Sequence, residues 1–76
     1  MSYERRWNVD LIRLDMDIQG WNQRELARRA GLSEQVISLF LLGTSQTAKT
    51  AAAIARAFGY KTSRRYLIAK HQERVA

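Results

Sequence analysis

Few side chains in this sequence are suited to chemistry. There is no Cys among the 76 residues, so thiolate nucleophiles, thiolate metal sites and disulfides are excluded. The single histidine, His71, has no partners at metal-ligand spacing and reads as a surface residue. Asp10, Asp15 and Asp17 read as a solvated helix face rather than as paired catalytic carboxylates. The sequence has no Gly-rich phosphate loop, no Ser-His-Asp set and no zinc motif. It therefore points to no enzyme activity, no metal and no cofactor. What remains is recognition chemistry. Gln35 carries a donor and an acceptor in one plane, Ser38 a hydroxyl and Glu34 a carboxylate, with the guanidinium groups of Arg24, Arg28 and Arg29 nearby in sequence.

Charge narrows the partner. Thirteen Lys and Arg oppose seven Asp and Glu, for a net charge of +6. The first twenty residues are slightly acidic, with Arg5, Arg6 and Arg13 against Glu4, Asp10, Asp15 and Asp17. From Trp21 onward only Glu25, Glu34 and Glu73 offset a long series of basic residues. A positive field of this kind favours a polyanion. No apolar run approaches the ~18 residues of a membrane span, and no signal peptide is visible. With Cys absent as well, the expectation is a cytoplasmic protein without a membrane partner, and one domain over residues 1–76.

The elements that position these side chains are short helices. There is no Pro, and Gly20, Gly31 and Gly59 read as helix ends, with Gly43 closing an apolar run. The expected helices run from about Asn8 to Gln19, Gln23 to Ala30, Glu34 to Leu42, Ala48 to Phe58 and Arg64 to Arg74. Asn22, Ser33, Thr47 and Ser63 are the candidate caps of the last four. No stretch shows strand alternation of useful length. Trp7, Trp21, Tyr3, Tyr60 and Tyr66 read as packing residues.

Trp21–Gly43 is the most specific segment. Gly31 lets the chain leave one helix with positive φ, and Leu32 plugs the corner before Ser33 starts the next. Ala27 is small where two helices must cross, and Leu26 and Ala30 share a face at i, i+4. Ile37, Phe40 and Leu41 form the stripe that holds the following helix to a core, which turns Glu34, Gln35, Ser38, Leu39 and Leu42 outward. This is helix-turn-helix geometry at about residues 23–42.

The pattern Gln23, Leu26-Ala27, Gly31, Ser33, Ile37, Phe40 and Gly43, continued by Ile54-Ala55-Arg56-Ala57-Phe58-Gly59, resembles the lambda-repressor-like, Cro-type (XRE) helix-turn-helix family. The resemblance covers about residues 8–70. It implies an all-α, compact five-helix DNA-binding domain that binds two-fold operators as a homodimer. It also implies that Glu34, Gln35, Ser38 and Leu39 face base edges of double-stranded DNA, that Gln23 holds a phosphate, and that Thr44, Ser45 and Gln46 touch the backbone. Arg24 and Arg28, one helical turn apart, and Lys49 suit further phosphate contacts. Gln35 is the best direct reader, because an amide can bond adenine bidentately, whereas Leu39 offers only apolar contact to a thymine methyl. Many family members pair an Arg in the first helix with a Glu late in the third; those slots here are Met16 and Leu41, both apolar.

The expected function is a transcriptional regulator, a phage or prokaryotic repressor that occludes its operator and is nucleoid-associated when DNA-bound. The fifth helix, with Leu67 and Ile68 beside Tyr66, is the expected dimer contact by analogy with lambda-like repressors. The alternative is an antitoxin-like or anti-repressor protein-interaction module on the same fold, motivated by the apolar Leu39 and Leu42 on the supposed groove face.

Overall fold

The computed structural model describes residues 5–69. Within them lie a strand β1 (Arg5–Trp7) and four α-helices, α1 (Val9–Gln19), α2 (Gln23–Ala30), α3 (Glu34–Leu42) and α4 (Ala48–Ala57). A 3-10 turn (Ser63–Tyr66) and a second strand β2 (Leu67–Ala69) follow. Every α-helix opens on a side-chain cap. Asn8 Oδ1 accepts from the Leu11 N–H at 3.0 Å and Asn22 Oδ1 from Glu25 at 2.8 Å. Ser33 Oγ accepts from Val36 at 3.1 Å and Thr47 Oγ1 from Thr50 at 3.1 Å. Each cap satisfies one of the N–H groups that a helix start leaves unpaired, a contribution of about 1 kcal/mol.

All four helices feed one core. Ile12 and Met16 come from α1, Leu26 and Ala27 from α2, Ile37, Phe40 and Leu41 from α3, and Ala51, Ile54 and Ala55 from α4. Met16 and Leu41 are both buried, so the apolar replacement of the family's ion pair strands no charge. Trp21 stacks on Phe58 with ring centroids 4.9 Å apart, and Tyr66 meets the Phe58 and Tyr60 rings edge-on.

Two expectations are corrected. The first is the fifth helix from Arg64 to Arg74, and with it the five-helix count. The described part of that segment is a 3-10 turn, capped by Thr62 rather than Ser63, followed by a strand that pairs antiparallel with β1 in the register Arg5↔Ala69, Arg6↔Ile68 and Trp7↔Leu67. Residues 70–76, with His71 among them, lie outside the described residues. The run Tyr66-Leu67-Ile68 is too short for its periodicity to distinguish helix from strand. The pairing with residues 5–7 decides it, reinforced by the Asn8 N–H donating to the Tyr66 carbonyl at 2.6 Å.

The second correction concerns Asp15, which is buried rather than solvated. Its carboxylate accepts two hydrogen bonds of 3.0 Å from Arg65, Nε to Oδ2 and Nη2 to Oδ1, and a third from the Tyr66 hydroxyl. The chain therefore does contain a carboxylate–guanidinium pair, with the carboxylate buried and the Arg65 guanidinium reaching it from the surface. It starts one residue before Met16 and joins α1 to the 3-10 turn instead of to α3. Three donors hold an anion in a partly apolar site, which lone burial would forbid. The Arg65 bonds, aided by Tyr66, hold the Asp15 carboxyl below its ordinary value against the opposing effect of burial. Burial, then the bond to Asp15, pushes the Tyr66 hydroxyl up.

Candidate nucleic-acid interface

The α2–α3 corner is fixed by local hydrogen bonding. Gly31 takes φ +72°, a conformation that L side chains rarely adopt. With the chain reversed there, the Gly31 N–H donates to the Arg28 carbonyl at 3.3 Å and the Leu32 N–H to the Ala27 carbonyl at 2.9 Å. These two bonds satisfy carbonyls at the end of α2 and aim the next residues into the Ser33 cap. Leu26, Ala27, Ile37 and Phe40 are buried beneath the corner. The inward stripe of α3 therefore fixes its rotation about its own axis, and the opposite side faces solvent.

That side carries the residues expected to read bases. Glu34 and Gln35 are exposed, and Ser38 and Leu39 are half-buried. Leu42, on the same side near the end of the helix, is 69 % exposed. The loop after α3 turns back onto it. The N–H groups of Thr44 and Ser45 both donate to the Leu39 carbonyl, at 3.0 and 3.3 Å. This brings those two exposed residues beside the C-terminal turn of α3. Gln46 is half-buried, and its amide nitrogen donates to the Phe40 carbonyl at 2.9 Å. One of its two amide hydrogens is therefore occupied within the protein, and the other remains for a ligand.

The cations fall into two groups. Arg24 is exposed, and its Nε lies 3.9 Å from Glu34 Oε1. This links the first turns of α2 and α3 and leaves the Glu34 carboxylate beside a positive charge. Arg28 and Arg29 both bond Glu25, Arg28 through Nε and Nη2 and Arg29 through Nε at 2.6 Å. The Arg28 bonds, then those from Arg29, hold the Glu25 carboxyl below its ordinary value. The Arg29 guanidinium also lies 4.5 Å from the centroid of the Trp21 ring. Gln23 sits half-buried at the first position of α2, and Lys49 is exposed in the first turn of α4.

The expected readers are thus brought onto one helix. Thr44 and Ser45 are placed at its end, and Arg24 is beside its start. The role of Glu25 as the anchor of two guanidiniums was missed, although its i+3 and i+4 spacing to Arg28 and Arg29 was the available signal. Among the described residues, no group of three or more His, Cys, Asp or Glu is arranged to hold a metal ion. Likewise, no helix among them is long and apolar enough to cross a membrane.

Comparison with known proteins agrees with this geometry. A family model described as Helix-turn-helix matches residues 12–64, well over half of the chain. No curated protein and no solved structure gives a match. The matched segment takes in the whole of α2, α3 and α4 and leaves the β1–β2 pair outside it. With α2 and α3 joined by a glycine corner and α3 turned outward, the chain belongs to the lambda-repressor-like (XRE) helix-turn-helix family, a family of DNA-binding regulatory domains.

Proposed function

We propose that the protein is a repressor of phage or prokaryotic type that binds a two-fold operator as a homodimer and acts by occlusion in the cytoplasm. The outward side of α3 enters the major groove. Glu34, Gln35, Ser38 and Leu39 meet base edges there, and Gln23, Arg24, Arg28, Thr44, Ser45, Gln46 and Lys49 meet the backbone. The observation that carries this reading is the exposure of Glu34 and Gln35 on a helix whose other side is locked into the core. Arg24 at 3.9 Å offsets the repulsion that Glu34 would feel from phosphate and leaves the carboxylate able to accept from a cytosine amine. Selection from random duplexes, followed by titration at several salt concentrations, tests the reading. The expected result is a two-fold site with half-sites about 34 Å apart and binding that falls steeply with salt. Sequence-indifferent binding that survives Gln35→Ala would overturn it.

The 69 % exposure of Leu42 favours a second reading, an antitoxin-like partner module. Leu42 lines the rim of an open groove of about 360 Å³ whose apolar walls come from Trp7, Val9, Leu41 and Ile68. This reading expects Leu39→Asp to abolish a protein complex while weak DNA binding persists. The two activities are compatible in one chain that represses its own operon.

A further inference from the structure

Glu34 is the one carboxylate on α3, and it stands at the first position of that helix. Its Oε1 lies 3.9 Å from Nε of Arg24, in the first turn of α2. The Arg24 side chain is 84 % exposed and that of Glu34 57 %, so the pair adds little to the stability of the fold. The neighbouring cations of α2 are held differently, since Arg28 and Arg29 both bond Glu25 within their own helix. Arg24 thus differs from them in reaching across the corner to the helix that faces outward.

Beside base edges the same pair acquires a selective role. An ionised carboxylate only accepts hydrogen bonds. In the major groove guanine offers the acceptors N7 and O6, thymine offers O4, and adenine sets the acceptor N7 beside its N6 amine. Cytosine alone presents a donor, the N4 amine, with no acceptor next to it. A carboxylate at a base edge therefore meets repulsion from three of the four bases, and from the phosphates as well unless a cation accompanies it. Arg24 is that cation. Its Nε faces Glu34, and no hydrogen bond with a described residue occupies its two Nη groups. The planar fork of a guanidinium can hold a carboxylate on one side and a phosphate on another.

We propose that Glu34 selects cytosine at one symmetric position of the operator, and that Arg24 is the positioning residue that ties this carboxylate to a backbone phosphate. The assignment rests on α3 entering the major groove, as proposed above, and adds the base that is read and the side chain that makes its reading possible. The test is selection from random duplexes with the parent protein, Glu34→Gln, Arg24→Ala and the double variant. Affinities follow for the parent's preferred duplex and for duplexes with any other base pair at the cytosine position of both half-sites. The parent's operator should hold a cytosine in each half-site, and replacing the two should weaken binding at least about tenfold. Glu34→Gln should move the preference at that position to adenine, which an amide bonds bidentately, and leave the other positions unchanged. Arg24→Ala should weaken the discrimination at that position in the parent background and leave discrimination unaltered in the Glu34→Gln background. Melting temperatures of all three variants should match the parent, because both side chains are exposed.

Three outcomes overturn the assignment while specific two-fold binding survives. They are an operator with no symmetric cytosine, a cytosine preference that Glu34→Gln does not move, and an Arg24→Ala effect that scales every duplex by the same factor. The last would make Arg24 a phosphate contact alone. A parent protein that binds no duplex specifically would sink the repressor reading together with this one.

Discussion

Single residues in this protein do two separable kinds of work. Gln35 is exposed and its side chain bonds nothing among the described residues, so truncating it should leave the fold intact. Gln35→Ala is expected to lose about 1–3 kcal/mol of operator affinity and to relax base choice at one position, read by competition between duplexes with unchanged melting temperature. Asp15 is the opposite case. Its two bonds from Arg65 and one from Tyr66 make it a structural anion. Tyr66→Phe removes one donor and should destabilise by about 1.5–3 kcal/mol, measured by urea unfolding. The pH profile gives the sign independently. The Asp15 carboxyl is depressed in the folded state, so its contribution is fully present above the unfolded value near 3.8 and is lost as pH falls below it. The Tyr66 hydroxyl is raised, so its contribution is present below 10.0 and is lost as pH climbs above that. Asp15→Asn should flatten the acid limb of the profile, and Tyr66→Phe the alkaline limb.

At the scale of elements, the α2–α3 corner depends on backbone conformation more than on packing. A Cβ added at Gly31 would meet nothing within 4 Å, yet φ +72° strains any L side chain. Gly31→Ala is therefore expected to cost about 1–2 kcal/mol from conformation alone. Ser33→Ala should cost about 1 kcal/mol by removing the acceptor of the Val36 N–H. Because both changes act where α3 begins, each should lower duplex affinity beyond its effect on stability. Titration of variants well below their melting temperature separates the two effects. These two residues were legible in the sequence because their partners lie within a few positions. The strands were not legible. Three residues carry no usable alternation, and β1 and β2 stand at opposite ends of the described chain.

For the whole molecule, exposed charge is mixed. Asp10, Arg13 and Asp17 lie on α1, and the exposed cations Arg24 and Lys49 lie on α2 and α4, the helices on either side of α3 in sequence. Arg24→Ala and Lys49→Ala are each expected to reduce the slope of log affinity against log salt by about 1, whatever the duplex sequence. The segment from Ser63 to Ala69 acts as a clasp, supplying Arg65 and Tyr66 to α1 and β2 to β1. Truncation before Ser63 should unfold the protein or lower its melting temperature steeply, because Asp15 would keep its site and lose all three donors.

The sequence alone determined the caps Asn22, Ser33 and Thr47, the glycine corner, the inward stripe of α3 and hence which of its side chains point outward. Each is set by hydrogen bonds or periodicities spanning three to seven residues, which composition and spacing encode directly. Only the tertiary structure decided that Asp15 is buried, that Arg65 and Tyr66 reach it across about fifty positions, and that Leu67–Ala69 forms a strand. A carboxylate on a helix looks the same whether water or a guanidinium faces it. The choice depends on which distant segment packs there, and no local pattern carries that information.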